Sequence, residues 1–165
     1  GLGDVYKRQD THYADGIRAL TTLPESLRRA IDGHSAIHSA RRPYSHEGYR
    51  AGGSRTSMKI VPSVEAWQTQ SHPIIRTHPE SGRQSLWLNP VYTLAIEGLS
   101  DAESDTLLEA LFEHMLQPDL IYKHKWAENM LIMWDNRTVM HCAQGGYAGH
   151  RRVMHRTTVA GTVPV

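Results

Sequence analysis

The pattern of apolar and polar positions is most regular in residues 100–117, "SDAESDTLLEALFEHMLQ", where it predicts a helix. Ser100 stands at the N-cap position and acidic residues fill the first turn, as is typical of a helix start. The positions expected on the buried face are Leu107, Leu108, Leu111 and Met115. A second, shorter helix is predicted in "LPESLRRAIDG", with Pro24 in its first turn and Gly33 after its end.

The segments on either side of this second helix are also interpreted as helical. "DTHYADGIRAL" predicts a helix from about Tyr13 to Leu20, capped by Thr11 or Asp10. "HSAIH" is interpreted as an extension of the second helix. The first part of the chain is therefore expected to be helical.

The second half of the chain has patterns that are typical of strands. "HPIIRTHPESGRQSLWLN" predicts two strands joined by the turn "PESG". Further strands are expected in "DLIYKHKW", "NMLIMWDN", "TVMHCA" and "RRVMHRTTVAG". The segment "NMLIMWDN" is nearly all apolar and is expected to be buried. Residues 41–57 are polar and Gly-rich, which predicts a long loop of the kind that forms lids, binding loops or disordered segments.

The C-terminal stretch "MHCAQGGYAGHRRVMHR" contains several residues of the types that bind metals and anions. Its Gly-rich centre predicts a hairpin that turns near Gly146–Tyr147, which would place His141 roughly opposite Arg152. Because strand side chains alternate, Arg152 and Arg156 are expected on one face. One imidazole and two guanidinium groups could therefore converge on one side of a sheet. The alternative is a solvated basic edge strand.

Composition and charge narrow the classes of function. The 165 residues suffice for one domain, and a net charge of +1 favours neither nucleic acid nor an anionic membrane as a partner. No apolar run approaches the roughly 18 residues of a membrane span, and no secretory signal is visible, so a cytoplasmic location is expected. The single cysteine excludes an internal disulfide and a cysteine-rich zinc module. The 11 histidines are dispersed, and they raise the question of a metal site.

Several segments resemble the TauD/TfdA family of Fe(II)- and 2-oxoglutarate-dependent dioxygenases. The resemblance runs through "DTHYADGIRALTTLP", "HPIIRTHPESGRQSLWLNP", "IEGLSDAES", "WDNRTVMHCA" and "RRVMHRTTVAG", and it covers essentially all of residues 10–165. The last block is the most specific, because Arg152 follows His141 by 11 residues and Arg156 follows four further on. Helices followed by antiparallel strands are compatible with the α+β or mainly β fold of such proteins.

The resemblance implies a double-stranded β-helix, or jelly roll, with flanking helices, holding Fe(II) by two histidines and one carboxylate. It implies that His141 is an iron ligand, that Arg152 and Thr11 bind 2-oxoglutarate, and that Arg156 meets the anionic group of the substrate. The implied reaction consumes O₂ and 2-oxoglutarate, releases succinate and CO₂, and hydroxylates a small sulfonate or carboxylate. Nucleic acid and membrane are not expected as partners, and a homo-oligomer is left open.

The sequence departs from the family at the other two iron ligands, which form a His-x-Asp motif upstream of the threonine segment. No His-x-Asp occurs here, and the nearest variant is His78 in "HPE", whose Glu80 is interpreted as a turn residue. Residues 1–9, "GLGDVYKRQ", have no pattern that links them to the rest and are interpreted as a foreign leader. We therefore expect residues 10–165 to be the C-terminal portion of one dioxygenase domain that lacks the N-terminal part of the fold and is inactive alone.

Other functions are compatible with the same residues. The main alternative is a non-catalytic jelly-roll protein that binds a small carboxylate through Arg152 and Arg156 without metal. A zinc hydrolase built from the dispersed histidines lacks a recognisable ligand pair with a general base. His34 and His38 are four residues apart and could clip a metal if they lay on a helix.

Overall fold

A computed structural model describes residues 10–48, 61–144 and 153–161. The strands are β1 (Thr11–Asp15), β2 (Ser35–Ser39), β3 (Thr69–Pro73), β4 (Ile75–Thr77), β5 (Gln84–Leu86), β6 (Thr93–Ile96), β7 (Ile121–His124) and β8 (Val139–Ala143). The α-helices are α1 (Gly16–Thr21), α2 (Glu25–Ile31), α3 (Arg41–Tyr44) and α4 (Asp101–Met115). Short 3₁₀ helices cover Val64–Trp67 and Pro118–Leu120.

The strands of the described residues form three antiparallel sheets. In the first sheet β1 lies between β7 and β8, and in the second β2 lies between β3 and β6. The third sheet is the hairpin of β4 and β5. Through β1, the start of the described chain pairs with two strands from near its end.

Helix α4 closes the core against α1 and β6. Its start is fixed by a capping box, in which the Ser100 hydroxyl accepts the Glu103 N–H and the Glu103 carboxylate accepts the Ser100 N–H. Its buried face includes Leu108, Leu111 and Met115, as the spacing predicted. The predictions of α4, α2, the β4–β5 hairpin, β7 and β8 are confirmed.

The predicted N-terminal helix is wrong in its first part. Tyr13 belongs to strand β1, and helix α1 begins only at Gly16. The cap is Asp15 rather than Thr11 or Asp10, because the Asp15 carboxylate accepts the N–H groups of the first turn. Residues 11–15 are extended since β1 has a partner strand on each side, and this pairing outweighs any local preference for helix.

The segment "HSAIH" is a strand rather than an extension of α2. Gly33 has a φ of 71°, a left-handed conformation that ends the helix, and His34 then leads into β2. A consequence is that His34 and His38 do not share a helix face, so the proposed helical metal clip is wrong. The His34 ring lies near the Glu97 carbonyl and the His38 ring near the Thr93 hydroxyl instead.

Two predicted C-terminal strands are not formed within the described residues. Residues 129–136 contain no strand, and Leu131 and Met133 are 86% and 85% exposed rather than buried. Residues 153–161 are exposed and contain no strand either. An apolar run becomes a strand only where a neighbour accepts its backbone hydrogen bonds and a surface covers it. The predicted turn at Gly146–Tyr147 lies outside the described residues.

The junction between β1 and α1 makes a close backbone contact. The Gly16 N–H donates to the Thr138 carbonyl at 2.9 Å. A Cβ at this position would lie 2.8 Å from that oxygen and 3.0 Å from the Leu86 carbonyl oxygen, closer than a side chain tolerates. Glycine therefore allows the junction, β5 and the residue before β8 to meet at one point.

None of the helices in the described residues combines the length and apolar character required to cross a membrane.

Candidate functional site

One face of the first sheet carries two of the site residues predicted from the sequence, Thr11 and His141. Opposed residues in antiparallel strands share a face. The register places His124 opposite Thr11, and it places Tyr122 and His141 on either side of Tyr13. Thr11 of β1 and His141 of β8 therefore lie on the same side of adjacent strands. The opposite face, which carries Ala14 and Met140, turns toward the core.

The His141 imidazole lies between two aromatic rings. Its ring centre is 6.2 Å from that of Tyr13, in a stacked arrangement, and 5.0 Å from that of Trp134. Neither ring nitrogen makes a hydrogen bond to another described residue. Burial lowers the pKa of His141, and the positive charge of Arg156 lowers it further. The lowered pKa favours the neutral imidazole, the form that binds metals.

Thr11 is buried and is held by a tryptophan that the sequence did not single out. Its side chain is 5% exposed, and its Oγ1 accepts the indole N–H of Trp126 at 3.0 Å. Trp126 in turn meets the His124 ring edge to face, with centres 4.7 Å apart. The signal for this arrangement is the alternation in "YKHKW", which puts Tyr122, His124 and Trp126 on one side of an extended segment.

Two buried polar atoms on this face have no hydrogen-bond partner among the described residues. They are the phenol oxygen of Tyr13 and the Nε2 atom of His124. Burial raises the pKa of Tyr13, and the nearby Thr11 hydroxyl partly opposes that rise. The face is therefore polar, buried at Thr11 and Tyr13 and open to solvent at Tyr122 and His141.

A cleft of about 540 Å³ opens beside this face. Tyr13 and Trp134, which both contact His141, are among the residues that line it, together with Tyr122 and the exposed Met133. Its size is within the range of pockets that hold small organic ligands.

The two predicted arginines are placed differently. Arg156 is exposed and close enough to His141 for its charge to act on the imidazole. Arg152 lies outside the described residues, so the expected convergence of both guanidinium groups with His141 stays a prediction.

The described residues do not by themselves fit a resident Fe(II). Among them no group of three or more histidine, cysteine, aspartate or glutamate side chains could hold a metal ion. His141 offers one imidazole with unoccupied ring nitrogens, whereas a facial triad requires two histidines and a carboxylate. The part of the chain that the structure describes thus offers one candidate ligand, the His141 imidazole.

A profile of the "Taurine catabolism dioxygenase TauD, TfdA family" matches residues 9–158. The chain belongs to the TauD/TfdA family. This agrees with the resemblance seen in the sequence, and it makes the chain a relative of 2-oxoglutarate-dependent dioxygenases.

Two curated relatives show the extent of the match. The α-ketoglutarate-dependent 2,4-dichlorophenoxyacetate dioxygenase of Burkholderia sp. (strain RASC) is 35% identical over 155 residues, which are 92% of this chain and 48% of that protein. The α-ketoglutarate-dependent sulfate ester dioxygenase of Pseudomonas putida is 32% identical over 158 residues, which are 94% of this chain and 52% of that protein. The chain spans about half the length of these relatives, and it matches their C-terminal portion.

The fold is also shared with solved structures of TauD/TfdA dioxygenases. The crystal structure of AAD-2 in complex with Mn(II) and N-oxalylglycine matches with a TM-score of 0.77 and 31% identity, over 95% of this chain and 59% of that one. The predicted fold class, a jelly roll with flanking helices, is confirmed for the part of the fold that this chain covers.

Within this TauD/TfdA chain, an ion-pair cluster holds the turn that precedes β8. The Asp135 carboxylate accepts hydrogen bonds from Nε of Arg137, at 2.9 Å and 3.2 Å, and from its Nη2, at 2.7 Å. It also lies 2.9 Å from Nε2 of His78. Arg137 also pairs with Glu80 at 2.8 Å. Glu80 and His78 belong to the β4–β5 turn, as predicted for "HPE", so the cluster ties that hairpin to the segment leading to His141.

Asp135→Ala is expected to lower the free energy of unfolding by about 1.5 kcal/mol, since it removes charge-assisted hydrogen bonds that are partly exposed to solvent. Arg137, followed by His78, holds the pKa of Asp135 well below its ordinary value. The stability that the ionised Asp135 carboxylate contributes is therefore present above about pH 4 and is lost as the pH falls below that value. Urea unfolding at pH 7 and pH 3 measures both effects.

The control for this change is Asp32→Ala, which removes an exposed aspartate that makes no ion pair within the described residues. Equal stabilities of the Asp135→Ala and Asp32→Ala variants at pH 7 would show that the cluster does not stabilise the turn.

Proposed function

We propose that the protein acts as an Fe(II)- and 2-oxoglutarate-dependent dioxygenase that hydroxylates a small anionic substrate and releases succinate and CO₂. In this proposal His141 is one iron ligand, Thr11 and Arg152 bind the cosubstrate carboxylate, and Arg156 meets the anionic group of the substrate. The supporting observation is that Thr11 and His141 lie on one face of adjacent strands, beside a cleft, in a TauD/TfdA chain.

The residues of this chain would bind and orient rather than carry out the oxidation. Bound Fe(II), with 2-oxoglutarate and O₂, would supply the oxidising chemistry. The Thr11 hydroxyl is a hydrogen-bond donor for a carboxylate, and an arginine fork suits a carboxylate or sulfonate. Tyr13 and Trp134 line the cleft and contact the His141 ring, and they would orient that imidazole.

The two missing ligand positions are proposed to come from a His-x-Asp pair N-terminal to Asp10 in the whole protein. The motif is absent from these 165 residues, and the chain corresponds to about half of its relatives. A cytoplasmic location and a homo-oligomer stay predictions.

The test is succinate formation from 2-oxoglutarate under air, with and without Fe(II), in the presence of an alkyl sulfonate, an alkyl sulfate ester or phenoxyacetate. The 165-residue chain alone is expected to give negligible turnover, because one imidazole does not retain Fe(II). The whole protein is expected to form succinate only when Fe(II) and 2-oxoglutarate are both present, and an anionic substrate is expected to outperform the corresponding neutral alcohol.

Two results would contradict this proposal. Turnover by the 165-residue chain alone would show that the ligand assignment is wrong. Binding of 2-oxoglutarate by the whole protein without any turnover would instead make it a non-catalytic carboxylate-binding protein.

A further inference from the structure

The hydrogen bond between Trp126 and Thr11 constrains which way the Thr11 hydroxyl can point. An indole N–H only donates, so Thr11 Oγ1 must be the acceptor of the 3.0 Å bond. A hydroxyl has a single hydrogen and two lone pairs. With one lone pair occupied by Trp126, the hydroxyl hydrogen is left for a different acceptor.

The Thr11 hydroxyl forms no hydrogen bond as donor to a described residue, although the Tyr13 phenol oxygen is close enough for that hydroxyl to lower the pKa of Tyr13. The Thr11 side chain makes no other hydrogen bond within the described residues, and the adjacent Tyr13 phenol oxygen has none at all. The Nε2 atom of His124, directly across the sheet from Thr11, is also buried without a partner. Buried polar atoms are nearly always paired, so two unpaired atoms beside the Thr11 hydroxyl indicate a place that a polar ligand completes.

Trp126 is itself fixed in place by its surroundings. Its ring meets His124 edge to face, and the His124 Nδ1 atom lies 3.4 Å from the Tyr122 hydroxyl. The indole N–H that reaches Thr11 therefore belongs to the last of three neighbouring aromatic rings, those of Tyr122, His124 and Trp126. A phenylalanine would preserve most of this packing and remove only the donor.

We propose that Trp126 is a positioning residue for the cosubstrate: by donating to Thr11, it directs the Thr11 hydroxyl hydrogen toward the distal carboxylate of a 2-oxo dicarboxylate. This inference rests on the proposed function, in which Thr11 binds that carboxylate. In addition to Thr11, the inference assigns a role to Trp126, which would not touch the ligand and would act only by orienting the Thr11 hydroxyl.

The experiment measures the dissociation constants of 2-oxoglutarate and 2-oxobutyrate in the whole protein, by calorimetry with Fe(II) in the absence of O₂. The two keto acids differ in the distal carboxylate. Trp126→Phe is expected to raise the 2-oxoglutarate constant about fivefold, the usual effect of one hydrogen bond, and to leave the 2-oxobutyrate constant unchanged. The unchanged 2-oxobutyrate constant also shows that the variant is folded.

Thr11 variants separate positioning from packing. Thr11→Val removes the hydroxyl, and in that background Trp126→Phe is expected to have no further effect on 2-oxoglutarate binding. Thr11→Ser retains the hydroxyl and is expected to preserve the effect of Trp126→Phe. Trp67→Phe, on an exposed 3₁₀ helix, is the control for loss of an indole N–H.

The outcomes distinguish this inference from the proposed function. Failure of the unmodified protein to bind 2-oxoglutarate would overturn both. If the unmodified protein binds 2-oxoglutarate, the positioning role alone is overturned by either of two results. One is that Trp126→Phe leaves this binding unchanged. The other is that Trp126→Phe weakens it as much in the Thr11→Val background as in the unmodified protein.

Discussion

Replacing His141 by alanine is expected to weaken the binding of Fe(II) or Co(II) to the whole protein by about 100-fold or more. Changes to residues that merely support a metal ligand already cost about 10- to 100-fold, and loss of a ligand should meet or exceed that range. The physical basis is an imidazole that lies between Tyr13 and Trp134, has a lowered pKa and makes no hydrogen bond to another described residue. Titration with Co(II), followed by its visible absorption in the presence of 2-oxoglutarate, measures the change.

His12→Ala is the matched control for this prediction. His12 lies in the same sheet, next to Tyr13 in β1, but alternation of side chains puts it on the opposite face. The control variant is expected to bind Co(II) as the unmodified protein does. Equal binding by the His141→Ala variant would remove His141 from the proposed metal site.

A second large effect is expected on the stability of the protein in acid, and its cause is a histidine in the second sheet. His38 in β2 is partly buried against His72 in β3, with ring centres 5.5 Å apart. Burial, with a smaller contribution from His72, lowers the pKa of His38 to about 4. Its Nδ1 faces the Thr93 hydroxyl of β6, and its Nε2 has no partner among the described residues.

The direction of the pH dependence follows from this lowered pKa. Below about pH 6.5 the unfolded chain binds a proton at His38 that the folded protein does not bind until about pH 4. The stability contributed by neutral His38 is therefore complete above about pH 6.5 and declines by up to about 3 kcal/mol as the pH falls to about 4. His72 adds to the decline, because burial and the charge of Arg76 lower its pKa as well.

Urea unfolding of the His38→Gln variant at pH 7 and pH 4.5 tests this, since glutamine cannot take up the proton. The difference in stability between the two pH values is expected to shrink relative to the unmodified protein. His155→Gln, in an exposed segment, should leave that difference unchanged. An undiminished decline in the His38→Gln variant would show that other groups control acid stability.

The elements that the sequence predicted well are those whose determinants are local. Helix α4 combines a capping box, acidic residues in the first turn and an apolar stripe within 16 residues, so no tertiary information is required. The β4–β5 hairpin likewise contains its own turn. Strand β1 was mistaken for helix because its extended conformation depends on β7 and β8, which are distant in sequence.

The same distinction between local and long-range determinants applies to the candidate site. Thr11 and His141 could be proposed from family motifs, but their placement on one face of adjacent strands depends on the register of β1 with β8. Trp126 was missed because its role is a single side-chain hydrogen bond to a residue 115 positions earlier. The exposed residues Met130, Leu131 and Met133 were expected to be buried, and the expectation was wrong because apolar composition does not specify what will cover a segment.

The contact at Gly16 has a consequence for which substitutions this fold tolerates. The two atoms that would lie too close to a Cβ at position 16 are the carbonyl oxygens of Thr138 and Leu86. Every residue type has this carbonyl, so the contact places no restriction on the side chains at positions 86 and 138. Position 16 bears the whole restriction, because any residue larger than glycine would place a Cβ against backbone that cannot change rotamer. Among sequences that share this crossing, the contact should therefore retain glycine at the junction, while the side chain at position 86 is restricted by its place in the hydrophobic core instead.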